Sequence, residues 1–104
     1  MIKRPLTLPP VRPLIALAAK VWNTTEKDIL STSRLREHAR PRQAVCYLAV
    51  ASGRPKSEIA NVLGRDRKTI LYGARKAEAL REMDGEFAIK LNRVERLAKE
   101  AAAC

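Results

Sequence analysis

Residues 55–80 read PKSEIANVLGRDRKTILYGARKAEAL, and the spacing of apolar and turn residues in this stretch decides the fold. Ile59, Ala60 and Leu63 form the apolar stripe of a short helix, and Gly64 interrupts it, since glycine enters left-handed backbone without steric cost. Asp66 stands where a helix N-cap belongs. Behind it Ile70, Ala74, Ala77 and Leu80 recur at helical spacing, giving a second helix to about residue 82. Ala60 is small where the two helices approach. Helix, glycine turn and helix in this order suit the unit that lays the N-terminal residues of its second helix in a DNA major groove. At that leading end lie Arg65, Asp66, Arg67, Lys68 and Thr69. Free N–H groups and the positive end of the helix dipole favour phosphate there. Arg and Lys reach guanine O6 and N7, while threonine bonds a phosphate or touches a thymine methyl. Tyr72, one turn past Lys68, and then Arg75 and Lys76 extend the candidate surface along the helix.

Upstream, Pro13 fits the first turn of a helix carrying Leu14, Leu17, Ala18 and Val21 on one face, closed by Trp22, which is expected to pack on the next helix. Thr25-Glu26-Lys27-Asp28 resembles a capping box and opens a short helix with Ile29 and Leu30. Residues 31–40 read as a polar, Arg-rich connection. Pro41 is expected to start a third helix, in which Val45, Leu48, Ala49 and Ser52 share a face and which Gly53 ends. Downstream, Asp84-Gly85 breaks the chain, and Phe87, Leu91, Val94, Ala98 and Ala101 mark a last helix. That stripe suits docking on the core or self-association with a second copy. The expected architecture is all-α, about six helices containing a helix-turn-helix. It divides into a basic Pro-rich arm (1–12), the DNA-binding domain (13–84) and a C-terminal helix (85–104).

Composition narrows the function. A chain of 104 residues fits one domain, and 46% hydrophobic residues with only 4% aromatics favour packed helices over a β-sandwich. The net charge of +10, from 21 Lys and Arg against 11 Asp and Glu, calls for a polyanionic partner. The scarcity of aromatics argues against stacking on unpaired RNA bases, and with the helix-turn-helix pattern double-stranded DNA is the expected partner. Two cysteines make no disulfide framework: Cys46 reads as a small buried hydrophobe, and Cys104 ends the chain. The prolines after Lys3-Arg4 break any signal-peptide core, and no segment approaches a membrane span, so a cytoplasmic protein is expected. His38 has no companion at metal-ligand spacing. Gly53-Arg54-Pro55-Lys56-Ser57 lacks the order of a phosphate loop, with Glu58 where a second glycine is needed, so ATP binding is rejected. No nucleophile–base pair stands out. Neither a cofactor nor catalysis is expected.

Ser33-Arg34-Leu35-Arg36, Ala39-Arg40-Pro41-Arg42-Gln43, Glu58-Ile59, Gly64-Arg65-Asp66 and Ala74-Arg75-Lys76 occur in this order within residues 11–82. In these motifs the chain resembles the C-terminal DNA-binding domain (domain IV) of the bacterial chromosomal replication initiator DnaA. The resemblance implies that Arg34 enters the minor groove, that Arg36 and Arg42 grip flanking phosphates with Arg40 as a weaker candidate, and that residues 65–69 enter the major groove. Where the family has a histidine and a first threonine, this chain has Arg67 and Lys68, and one Gly64 replaces paired glycines. A related but different site, richer in guanine, is therefore expected. The family's ATPase domain is missing from the sequence, so the expectation is a stand-alone regulator acting at transcription or replication-origin sites. The alternative is a module that docks on replication or transcription proteins through its last helix.

Overall fold

The computed structural model describes residues 10–103, and among these lie six helices and no strand. Helix α1 (Val11–Trp22) starts behind Pro10, with Pro13 in its first turn, where a missing N–H costs no hydrogen bond. The expected arm therefore gives way to helix at Val11. Its residues 1–9, and Cys104, fall outside the described residues. Asn23 closes α1 in the left-handed region at φ 55°. Leu14 and Ala18 are buried as their spacing indicates, joined by Val11 and Ile15. Helix α2 (Glu26–Leu30) is set off by Thr25, whose Oγ1 accepts from the Asp28 N–H at 3.1 Å.

Helix α3 (Arg36–Ala51) departs from expectation. It begins at Arg36, so part of the expected connection is helical and Pro41 lies inside the helix rather than at its start. The upstream turn closes because the N–H groups of His38 and Ala39 both reach the Leu35 carbonyl, at 2.9 and 2.8 Å. Pro41 deprives the Glu37 carbonyl of its helical donor. Glu37 is exposed, so water can supply the missing bond, while the proline ring itself is fully buried in the core. Burial of that ring outweighs the local rule that proline starts helices.

Helix α4 (Lys56–Leu63) ends at Gly64, φ 66°, and the Arg65 N–H returns to the Ala60 carbonyl at 3.0 Å. Helix α5 (Arg67–Met83) is capped by Asp66, whose Oδ1 accepts from the Thr69 N–H at 2.7 Å. Helix α6 (Gly85–Ala103) follows at once. Asp84 both closes α5 and caps α6, its Oδ1 accepting from the N–H groups of Glu86 and Phe87 at 3.1 and 3.2 Å.

α3 packs on α1 and on α5, and α6 lies against α1 and α5. Gly73 of α5 is the close-approach point with α3, for a Cβ there would lie 3.2 Å from Cys46 Sγ. Phe87, Leu91, Val94 and Ala98 are all buried, so most of the α6 stripe is spent inside this domain; Ala101 stays exposed. Trp22 packs on Phe87 of α6, ring centroids 5.7 Å apart. Sequence distance hid that pairing. No helix among the described residues is long and apolar enough to cross a membrane.

Candidate nucleic-acid interface

The first turn of α5 stands out from the body of the domain. Asp66, Arg67, Lys68 and Thr69 are all exposed, and Ile70 immediately behind them is fully buried. This contrast holds the tip rigidly while presenting its side chains outward. Asp66 and Thr69 are engaged with each other. The Thr69 backbone N–H, then its hydroxyl, then nearby Lys68 hold the Asp66 carboxyl below its ordinary range. Arg67 has no protein partner among the described residues. There is no acidic residue in the first turn of α5, so two cations sit at the positive end of the helix dipole with only the cap to offset them. Such an arrangement costs the isolated domain stability, and an external anion would relieve it.

Arg34, Thr69 and Tyr72 line one recess, floored by buried Cys46 and Gly73 where α3 and α5 cross. The loop before α3 and the N-terminal end of α5 therefore face the same side of the fold. Arg34 is exposed and without a protein partner among the described residues, and Tyr72 is 65% exposed. Arg75 and Lys76 are exposed one turn further along α5. Gln43 also lines the recess. It stands beside Arg42 in the sequence, and only the helical phase of α3 reveals its direction.

Four of the arginines take other places than their sequence suggests. Arg42 is turned inward: Nε donates to the Ile29 carbonyl at 2.7 Å, Nη1 to that of Ser33 at 3.1 Å, and Nη2 to that of Ser31 at 2.8 Å. Burial, and secondarily the charge of Arg65, lower its pKa. A guanidinium so occupied has most of its donors committed to the loop. Arg65 donates to the Leu63 carbonyl at 2.9 Å and to the Ser31 carbonyl. Arg36 and Arg40 open onto a separate groove, walled by Trp22, Phe87 and the acidic Asp84 and Glu86. Because α3 already runs through both, they share a face one turn apart, away from Arg34. Arg40 also donates to Gln43 Oε1 at 3.2 Å. Of the four arginines in 34–42, Arg34 and Arg36 are exposed, and of these two only Arg34 lines the recess beside α5.

The loop itself rests on a small polar network. Ser31 Oγ donates to the Asp28 carbonyl at 2.6 Å, and Ser33 Oγ meets His38 Nδ1 at 2.8 Å. His38 Nε2 lies 3.5 Å from Asp28 Oδ2. The sequence gives His38 no companion at metal-ligand spacing, and the loop's fold places Ser33 and Asp28 around it.

With this geometry in hand, the comparisons are decisive on family. The family described as bacterial dnaA protein helix-turn-helix matches residues 12–77. The chain belongs to that family. The chromosomal replication initiator protein DnaA of Ruegeria sp. is 38% identical over 72 residues, covering 67% of this chain and 15% of that protein. The Brucella abortus DnaA is 36% identical over 89 residues, 84% of this chain and 18% of its own length. That of Cereibacter sphaeroides is 40% identical over 81 residues, 76% of this chain and 18% of the relative. The chain therefore spans less than a fifth of the length of these relatives. The 89-residue alignment is longer than residues 11–82, so likeness to this DnaA extends beyond the motifs.

Proposed function

We propose that the chain binds double-stranded DNA sequence-specifically, with the first turn of α5 in the major groove and Arg34 in the adjacent minor groove. The observation that carries this reading is the shared recess. Arg34 and the α5 side chains Thr69 and Tyr72 border one surface, beside the unpartnered Arg67, so one duplex can touch both. Major-groove contacts distinguish all base pairs, while an arginine in the minor groove responds to groove width, and together they specify a short site. Membership of a DnaA helix-turn-helix family and the charge of +10 both support a DNA partner. The biological role that fits is occupancy of sites at promoters or replication origins, where a bound domain blocks or recruits other proteins. A docking module working through the α6 stripe loses its main support, because four of its five apolar residues are in the core.

The test is an electrophoretic mobility shift with a random duplex pool, followed by sequencing of the bound fraction. Enrichment of a short motif supports the reading. Equal affinity for all duplexes refutes the sequence-specific part, and absence of binding at low salt refutes the whole.

A further inference from the structure

We infer that Arg42 and Arg65 are positioning residues: together they clamp the loop carrying Arg34 to the turn carrying Arg67, and so set which duplexes both cations can engage at once. The inference rests on the DNA-binding reading above. Its physical basis is the Ser31 carbonyl, which accepts from Arg42 Nη2 and from Arg65 Nη2. Arg42 reaches out from α3 and also holds the carbonyls of Ile29, at the end of α2, and Ser33, next to Arg34. Arg65 reaches back from the α4–α5 turn and also holds Leu63 at the end of α4. One backbone oxygen thus ties together the end of α2, the loop, α3 and the helix-turn-helix corner. The clamp's outer ends lie beside Arg34 on one side and two residues before Arg67 on the other.

Only arginine suits this work. Its planar fork donates in two or three fixed directions, whereas lysine is a point charge on a flexible stem. Neither guanidinium has a carboxylate partner among the described residues. Their charge is therefore not cancelled, while Arg42 gives most of its donors to loop carbonyls and Arg65 gives one N–H from each terminal nitrogen. If the fork geometry sets the spacing, losing it loosens the relation between the two reading elements. Many duplexes still bind, but the preferred one loses its advantage.

The test compares Arg65→Lys, Arg42→Lys and Arg65→Ala with the parent protein, well below each unfolding midpoint. Affinity for the selected duplex and for a scrambled duplex is measured across a salt series. The expected result is a fall in the preference ratio of about tenfold in all three, from a weakened base contact. The salt slope should stay unchanged, since no phosphate contact is lost. Two binding results would overturn the inference. One is a slope shallower by about 0.9 in Arg65→Ala, the mark of a lost phosphate contact. The other is an unchanged ratio in Arg65→Lys, which would mean that charge alone suffices. Amide hydrogen exchange over residues 31–35 gives a readout that needs no DNA. Faster exchange there in Arg65→Ala, with α1 and α6 unaffected, supports the clamp, and unchanged exchange overturns it. Failure of the parent to prefer any duplex would instead refute the sequence-specific reading, leaving the clamp to be judged by exchange alone.

Discussion

Gly73→Ala probes the crossing that holds α5 in place. In an ordinary helix interior the exchange gains about 1 kcal/mol from backbone entropy. Here the new Cβ would sit 3.2 Å from Cys46 Sγ and 3.4 Å from Cys46 Cβ. Cys46 is 3% exposed, so its sulfur has to yield into packed neighbours. Overpacking of that kind costs about 1–3 kcal/mol, which outweighs the helix gain and leaves a net loss of about 1 kcal/mol. For a domain of this size that lowers Tm by about 4–8 °C. Cys46→Ala removes the sulfur and leaves only the 3.4 Å contact, which is close to ordinary packing. Urea denaturation of the parent, both single variants and the double variant closes a thermodynamic cycle. The double variant should be more stable than the sum of the singles by about 0.5 kcal/mol or more. Strict additivity, or a Gly73→Ala protein stabilised by the full helix-propensity gain, would refute the claim that α3 and α5 touch at this point.

Gly64→Ala should destabilise by about 1–2 kcal/mol through its left-handed backbone alone, because nothing lies within 4 Å of an added Cβ. Asn in its place should recover part of the loss in the same denaturation assay. Phe87→Ala removes a side chain that is 3% exposed and packed at a tilt against Trp22, and should cost about 3–5 kcal/mol. A small effect on thermal unfolding would show that α6 is not part of the core. Burial pushes the Cys46 thiol up from 9.0 to about 12. The unfolded state therefore loses this proton first as pH rises. The associated stability is fully present below pH 9 and is lost as pH climbs toward 12, and Cys46→Ala should abolish that part of the alkaline decline.

Much of the domain was legible where local signals and packing agree. Gly64, Asp66 and the Ile70-Ala74-Ala77 stripe behave as their types and spacing dictate, because turn, cap and buried face are all set within a few residues. Pro41 misled because the rule for prolines is local, whereas its ring is held in a helix by tertiary burial. The arginines misled for a different reason. Backbone carbonyls of an irregular loop need donors, and a nearby guanidinium supplies several at once. Sequence shows that Arg42 is charged but not that the loop over residues 28–33 turns its carbonyls toward it. Starting α3 at Arg36 likewise rotates Arg36 and Arg40 toward the α6 groove, a direction invisible while the segment is read as a connection. The exposed tip at Arg67 and Lys68 was readable because the apolar residues behind it fix its phase.

The most direct test of the central claim is a nuclear magnetic resonance titration of the labelled protein with its selected duplex. The account predicts that the largest amide shifts fall in two separate segments, around residues 33–35 and 65–72, and saturate together at one equivalent. Shifts concentrated around Arg36, Arg40 and the start of α6, with the 65–72 segment unmoved, would contradict it.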